Sequence, residues 1–191
     1  MSKDGLIETG KQIFMSQPKC PGELLALTYG AYVAKLLHEA DDNDPEIVNS
    51  QLDKLGHGMG CKMTDEFFAR QNPPMAYCRD FRTTIDIISK QALKMFLNIT
   101  AEVEKYDDNT KSCYLVFREN PFAEYVILPS SIEKSLWYSN IICGMIRGAL
   151  EMIGIVVKAY FLRDVLRGDT ETVVRVEFVK VLQSQDTKKK E

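Results

Sequence analysis

Residues 135–154 have the sequence SLWYSNIICGMIRGALEMIG, and this stretch decides the fold class. Its apolar residues recur at helical spacing, but they cover nearly the whole circumference of the helix. An α-helix that is apolar all round belongs in the interior of a protein, because any solvent-facing side would leave apolar surface in water. Asn140, Arg147 and Glu151 interrupt the run, which therefore lacks the ~20 apolar residues that span a bilayer. We predict a buried central helix.

Three stronger helical patterns precede this stretch, after a weak helical segment at residues 1–20. The first begins at about residue 21. The second runs from about residue 45 to residue 70, with Asp44 as N-cap and Pro45 in the first turn, where proline is favoured. Its apolar stripe steps by three or four residues and consists of Val48, Leu52, Leu55, Met59, Met63 and Phe67. The third runs from about residue 79 to residue 98.

Glycines occur within two of the predicted helices. Gly56, Gly58 and Gly60 lie in the second helix, where each costs about 1 kcal/mol of helix propensity relative to alanine. Interior glycines of this kind usually mark the close approach of another backbone, and tight packing is our interpretation. Gly144 and Gly148 lie in the central helix, and we expect them to let it approach the sheet.

Four segments have the pattern of strands. Residues 111–118 and 122–128 are predicted to form a hairpin with its turn at residues 119–121, and residues 155–162 and 173–182 form a second pair. Helices followed by hairpins predict an α+β fold, a four-stranded antiparallel sheet packed with a helical layer. We assign residues 1–20 to an N-terminal helical segment, 21–183 to a single domain and 184–191 to a polar, disordered tail.

Composition excludes several classes of function. The 191 residues are 45% hydrophobic with a net charge of −3, which argues against a nucleic-acid binder. Five cysteines without a Cys-x-x-Cys pair, and only two histidines, do not supply a zinc site. Phosphate-binding glycine motifs are absent, so no nucleotide cofactor is expected. The N-terminus lacks the apolar run of a signal peptide, and we expect a soluble intracellular protein.

One cysteine stands apart from the others. Cys78 lies where a loop meets the third helix and is followed by Arg79, and both a helix N-terminus and a cation favour the reactive thiolate. A small apolar plug at the helix start is the alternative, and the residues alone leave both open. The remaining cysteines are predicted to be core residues: Cys20, Cys61, Cys113 and Cys143.

The two histidines do not indicate a hydrolase. His38 falls on the polar side of its helix and is expected to face solvent, whereas His57 lies among glycines and is expected to pack. A cysteine hydrolase needs a histidine base beside its nucleophile, and neither position predicts that arrangement.

Seven collinear segments resemble one family. They are residues 23–30 (ELLALTYG), 51–56 (QLDKLG), 65–70 (DEFFAR), 78–81 (CRDF), 119–121 (ENP), 138–152 (YSNIICGMIRGALEM) and 166–169 (LRGD). Together they are similar to the Bet-three subunits of the transport protein particle (TRAPP), a vesicle-tethering complex. The resemblance extends from about residue 5 to residue 182.

The resemblance implies a fold, a lipid and a modification site. The family fold is an antiparallel sheet packed with helices, with a covalently bound palmitate held as a thioester in an internal hydrophobic channel. The matching cysteine here is Cys78. Tyr77 stands where the family commonly has a basic residue, and Arg79 can supply that charge as support for the acyl site. We expect the channel walls to come from the second, third and central helices. No metal is implied.

The resemblance also implies a non-enzymatic scaffold in ER-to-Golgi transport. Such subunits form homodimers or heterodimers with other small TRAPP subunits, and nucleotide exchange on a Rab GTPase belongs to the assembled complex. The implied location is cytoplasmic, peripheral to cis-Golgi and ER–Golgi membranes. Two rival hypotheses remain open: a lipid-binding or lipid-sensing domain of this fold acting outside the complex, and an acyl-transfer enzyme with Cys78 as its turnover nucleophile.

Overall fold

Helices occupy the first half of the chain in the computed structural model, which describes residues 2–40, 44–71 and 80–182. In chain order they are α1 (Lys3–Met15), α2 (Gly22–Glu39), α3 (Pro45–Ala69), α4 (Phe81–Ile87), a π-helical turn (Ile88–Ala92) and α5 (Leu93–Leu97). The start of α3 is as predicted, since the Asp44 side chain accepts a hydrogen bond from the backbone N–H of Glu46 at 2.9 Å and Pro45 opens the helix.

A four-stranded antiparallel sheet follows. Its strands are β1 (Ala101–Asp107), β2 (Ser112–Phe117), β3 (Ile155–Arg163) and β4 (Thr172–Val181), arranged in the order β1-β2-β4-β3. Helix α6 (Ile141–Met152) leads into β3, and a short 3-10 helix (Val165–Arg167) lies between β3 and β4. The predicted α+β class and four-stranded sheet are confirmed.

The hairpin partner of β2 was predicted at the wrong place. β1 pairs with β2, with Val103 opposite Leu115, while residues 122–125 form turns and residues 126–128 are irregular. The Asn120 side chain accepts a hydrogen bond from the N–H of Phe122 at 3.1 Å and donates one to Ser139 Oγ at 2.8 Å. This local bonding satisfies the backbone in a turn and removes it from the sheet.

Helix α6 is the predicted buried central helix, but it is shorter than predicted. Ile142, Cys143 and Leu150 are almost fully buried and join the main core with residues of the sheet. Residues 135–140 lie outside the helix, and Asn49 of α3 binds this segment: its side chain accepts from the N–H of Trp137 at 2.8 Å and donates to the carbonyl of Ser135 at 3.0 Å.

Glycines bring α3 and α6 together. A Cβ added at Gly56 or Gly60 would overlap backbone of α6, and one at Gly144 or Gly148 would overlap backbone of α3. The predicted close approach is therefore confirmed at Gly56 and Gly60. The prediction is wrong for Gly58, which has open space beside it, and wrong about Gly144 and Gly148, whose neighbour is α3 and not the sheet.

The predicted apolar stripe of α3 is buried only in part. Val48, Leu52 and Phe67 are buried as predicted, but Leu55 and Met59 are more than a third exposed. The two glycines take the contact positions that a larger side chain would block.

The predicted third helix is interrupted. Within the described residues it begins at Phe81, after the N-cap Asp80, whose side chain accepts a hydrogen bond from the N–H of Thr83 at 2.8 Å. The π-helical turn inserts an extra residue before α5, and Asn98, which caps the C-terminus of α5, has the left-handed conformation. Helix α1 packs on this turn, with Leu6 buried in a second cluster beside Phe67.

The other predicted elements can be compared directly with the structure. The strands predicted at residues 155–162 and 173–182 correspond to β3 and β4. The helix predicted within residues 1–20 is α1, whereas the tail at residues 184–191 lies outside the described residues. The domain boundaries stay predictions. No helix in the described ranges combines the length and apolar character needed to cross a bilayer.

Candidate functional site

An apolar cavity lies between the helices. Its walls come from α3, from α4 with the π-helical turn and α5, and from α6 and the residue that follows it. The lining residues are Gly60, Met63, Thr64, Phe67, Phe68, Thr84, Ile87, Ile88, Ala92, Leu93, Phe96, Leu97, Ile142, Met145, Ile146, Ala149, Leu150 and Ile153. The second, third and central helices are the walls expected from the sequence.

The cavity extends along the walls of two helices. The lining residues of α3 run from Gly60 to Phe68 and those of α6 from Ile142 to Leu150, and each set covers about 12 Å along its helix axis at 1.5 Å per residue. The space open to the centre of a water-sized sphere is about 90 Å³. A hydrocarbon chain lying along these helices would contact both walls over this length.

The polar groups of the wall are already paired. Thr64 Oγ1 donates to the backbone carbonyl of Gly60 at 3.0 Å or of Ala149 at 3.3 Å, and Thr84 Oγ1 donates to that of Asp80 at 2.8 Å. The lining therefore offers a ligand hydrocarbon surface. Apolar walls of this kind favour an apolar occupant.

Two buried glutamines join the end of α3 to the π-helical turn. Gln91 Nε2 donates to Gln71 Oε1 at 2.9 Å, and Gln71 Nε2 donates to the carbonyl of Phe67 at 3.2 Å. Both residues are less than a tenth exposed. This link holds together the two walls that flank residues 72–79 in the chain.

The predicted acyl site itself lies outside the described residues. Cys78, Arg79 and Tyr77 all fall within residues 72–79, so the site assignment stays a prediction. What the structure describes is the cavity wall on both sides of them. Phe67 and Phe68 come shortly before this segment, and Thr84 comes shortly after it.

The other cysteines differ in their exposure and acidity. Cys113 and Cys143 are fully buried, and burial raises the pKa of Cys113 to about 12 and that of Cys143 well above its ordinary value. These two thiols are core residues, as predicted, and are held in the unreactive protonated form. The prediction is wrong for Cys20, which is exposed, and Cys61 is only half-buried.

The two histidines also have different environments. His38 faces solvent, as predicted. His57 packs its backbone against Gly148, as its position among glycines suggested, but its ring reaches outward to Glu151. In the described ranges, no group of three or more histidine, cysteine and acidic side chains is arranged to hold a metal.

Comparison with known proteins identifies the family. The family model described as "Transport protein particle (TRAPP) component" matches residues 25–177. The chain belongs to the TRAPP component family.

Individual relatives match over nearly their whole length. The transport protein particle subunit bet3 of Schizosaccharomyces pombe is 40% identical over 176 residues, covering 92% of this chain and 93% of the relative. The trafficking protein particle complex subunit BET3 of Saccharomyces cerevisiae is 37% identical over 177 residues, covering 92% and 90%. The resemblance to TRAPP Bet-three subunits is thereby confirmed.

A solved TRAPP structure is similar in three dimensions. The trafficking protein particle complex subunit 3 from Naegleria fowleri superposes with a TM-score of 0.79 at 39% sequence identity, over 85% of this chain and 98% of that chain. That subunit was crystallised covalently bound to palmitic acid. A relative with the same fold therefore carries a lipid of the chemistry that this TRAPP component's cavity favours.

Proposed function

We propose that this chain is a scaffold subunit of the TRAPP tethering complex in ER-to-Golgi transport, S-acylated at Cys78 with the acyl chain in the helical cavity. The observation that carries the proposal is the apolar cavity, whose walls belong to the elements on either side of Cys78. The palmitic acid bound to the Naegleria relative supports the choice of lipid. No metal or nucleotide is part of the proposal.

Covalent geometry supports Cys78 as the attachment point. Cys78 precedes Phe81 by three residues, so their α-carbons lie within about 11 Å of each other. Phe81 begins α4, and Thr84, one turn further on, lines the cavity. Tyr77 and Arg79 would support the site from the adjacent positions, with Arg79 favouring the thiolate that attacks an acyl thioester.

Burial of the acyl chain would stabilise the fold. Each methylene that leaves water contributes about 0.8 kcal/mol, so a palmitoyl chain contributes on the order of 10 kcal/mol before the cost of ordering it. A single acyl chain released outward would be only a weak membrane anchor. A chain held inside the protein would therefore serve as a structural component of the fold, which a weak membrane anchor would not.

Exposed apolar residues on α2 support a role in assembly. Leu24, Leu25, Leu27 and Tyr32, which we call the α2 patch, are all more than a third exposed, and Leu27 is 73% exposed. Large exposed apolar groups that cluster on one helix favour a protein interface. We infer that a second copy or another small TRAPP subunit covers this patch.

The proposal assigns no enzymatic turnover to the chain. Self-acylation at Cys78 would be stoichiometric, and nucleotide exchange on a Rab GTPase would require the assembled complex. The subunit would reach cis-Golgi and ER–Golgi membranes peripherally, from the cytoplasm, through its partners.

Affinity purification from the protein's own cells tests the assignment. We expect the tagged chain to recover other TRAPP subunits, and Leu27→Glu in the α2 patch to lose them while remaining folded. Val179→Glu, at an exposed apolar position of β4 outside the patch, is the matched control. A chain that purifies without TRAPP subunits but with non-covalent lipid would support a lipid-binding domain acting alone. Multiple turnovers of acyl transfer would support an enzyme.

A further inference from the structure

A cysteine, a histidine and a glutamate lie in a row at the outer edge of the α3–α6 contact. Cys61 Sγ lies 4.0 Å from His57 Nδ1, and His57 Nε2 lies 2.6 Å from Glu151 Oε2. His57 and Cys61 are four residues apart on α3, so they share one face of the helix. Glu151 comes from α6, across the close glycine contact.

The hydrogen bond to Glu151 selects the tautomer of a neutral His57 ring. A carboxylate only accepts hydrogen bonds, so Nε2 is the nitrogen that donates. In a neutral imidazole the other nitrogen, Nδ1, is then without a hydrogen and can accept one. This bare nitrogen faces the Cys61 thiol, and Glu151 would stabilise the positive ring that forms when it takes a proton. Cysteine nucleophiles are activated by this order of groups.

The surroundings limit what can reach the thiol. The side chains of His57 and Glu151 are 32% and 47% exposed, and Cys61 is half-buried. Cys61 also donates toward the carbonyl of Gly148 at 3.6 Å, which competes with His57 for the thiol hydrogen. None of the three residues lines the acyl cavity. The partial exposure of these side chains leaves a small water-soluble reagent room to approach the thiol, which lies outside the described walls of the apolar cavity.

We propose that Cys61, His57 and Glu151 form a second reactive-thiol site, at which Cys61 is oxidised by hydrogen peroxide. His57 Nδ1 takes the thiol proton, and the thiolate attacks one peroxide oxygen. The new S–O bond forms as the O–O bond breaks, and the departing hydroxide takes the proton from His57 and leaves as water. Sulfur is oxidised to the sulfenic acid and peroxide is reduced.

A structural role for the same contacts makes a different prediction. If His57–Glu151 were only an ion pair between helices, its loss would loosen the α3–α6 contact and make Cys61 react faster. If His57 is a base, its loss makes Cys61 react more slowly while the fold is kept. The direction of the change therefore separates the two.

The test measures sulfenic acid at each cysteine by peptide mass spectrometry, after the folded full-length chain is treated with peroxide and a dimedone-type trap. We expect His57→Gln to slow Cys61 oxidation by about tenfold, in keeping with the loss of a general base. The exposed Cys20 serves as the internal reference and should be unchanged, and buried Cys113 and Cys143 should stay unlabelled in a folded variant. An unchanged or faster rate at Cys61 would overturn the proposal.

A second variant covers the case in which His57→Gln does not fold. Glu151→Gln keeps an acceptor for Nε2 but removes the negative charge, so we expect a smaller decrease at Cys61, by a few-fold, with Cys20 again unchanged. No decrease in this variant, or no sulfenic acid at Cys61 in the wild type, would also contradict the site.

Discussion

Gly60 of α3 lies so close to Met145 of α6 that a Cβ on the glycine would overlap the methionine's carbonyl oxygen. Both residues line the apolar cavity between the helices. The same contact that joins the two helices therefore also fixes one wall of the cavity. Helix packing and the shape of the cavity therefore depend on the same contact.

Gly60→Ala should destabilise the protein strongly. The added methyl group meets backbone, which cannot move aside as a side chain can, and we expect the free energy of unfolding to fall by about 3 kcal/mol. Urea denaturation of the purified chain measures this change. Gly58→Ala is the matched control on the same helix, because open space surrounds Gly58. There the better helix propensity of alanine should raise stability by up to about 1 kcal/mol. Equal effects of the two substitutions would contradict the packing described.

The glycines show what the sequence could predict about this contact. Interior helical glycines indicate that another backbone is near, and that was correct for Gly56 and Gly60. They do not indicate which backbone, and Gly144 and Gly148 were assigned to the sheet although they face α3. The partner depends on how the helices are arranged in three dimensions, which spacing along one helix does not contain.

Filling the cavity should exclude the acyl chain. Ala92 lies in the π-helical turn and lines the cavity, so the ring of Ala92→Phe would occupy space that the lipid needs. We expect the chain to remain folded while the acylated fraction, measured by intact mass spectrometry, falls below about half, since the lost burial is worth about 0.8 kcal/mol per displaced methylene.

Ala69→Phe is the control for this substitution. Ala69 ends α3 on the exposed side and does not line the cavity. It should leave the acylated fraction unchanged. Full acylation of the Ala92→Phe variant would mean that the lipid lies elsewhere.

The stability of the fold should depend on Asp164. This residue is buried, one of its oxygens accepts from the N–H of Leu166 at 3.1 Å, and the other has no partner in the part of the chain that the structure describes. Burial raises the pKa of the carboxyl above its ordinary value of 3.8. The native state then holds the proton more tightly than the unfolded state, so stability decreases as the pH rises from 3.8 through the native pKa and is constant above it.

Asp164→Asn cannot ionise and should lack this decrease. The difference in free energy of unfolding, variant minus wild type, should therefore grow as the pH rises from about 4 and then level off. Urea denaturation across a pH series measures it. A difference that stays constant over the series would show that Asp164 does not titrate differently on folding.

The sheet and the reactive groups mark further limits of sequence analysis. β1 contains four charged residues, Glu102, Glu104, Lys105 and Asp107. Because they leave few apolar residues in the strand, the alternation of apolar and polar residues is weak, and the hairpin partner was assigned to residues 122–128 instead. For the row formed by Cys61, His57 and Glu151, the sequence shows only that Cys61 and His57 are four residues apart. Glu151 is 94 residues from His57, and only the α3–α6 contact brings it near. The apolar walls of the cavity, by contrast, were predictable from helical periodicity.

The proposed acyl thioester at Cys78 would place its hydrocarbon chain in the cavity between the helices. Intact mass spectrometry of the purified wild type and of Cys78→Ser, each before and after hydroxylamine, tests it most directly. We predict a mass increment on the wild type that hydroxylamine removes and that Cys78→Ser lacks, together with a melting temperature roughly 10 °C higher for the acylated form. An increment that persists in Cys78→Ser, or a purified chain from its own cells that carries none, would contradict the account.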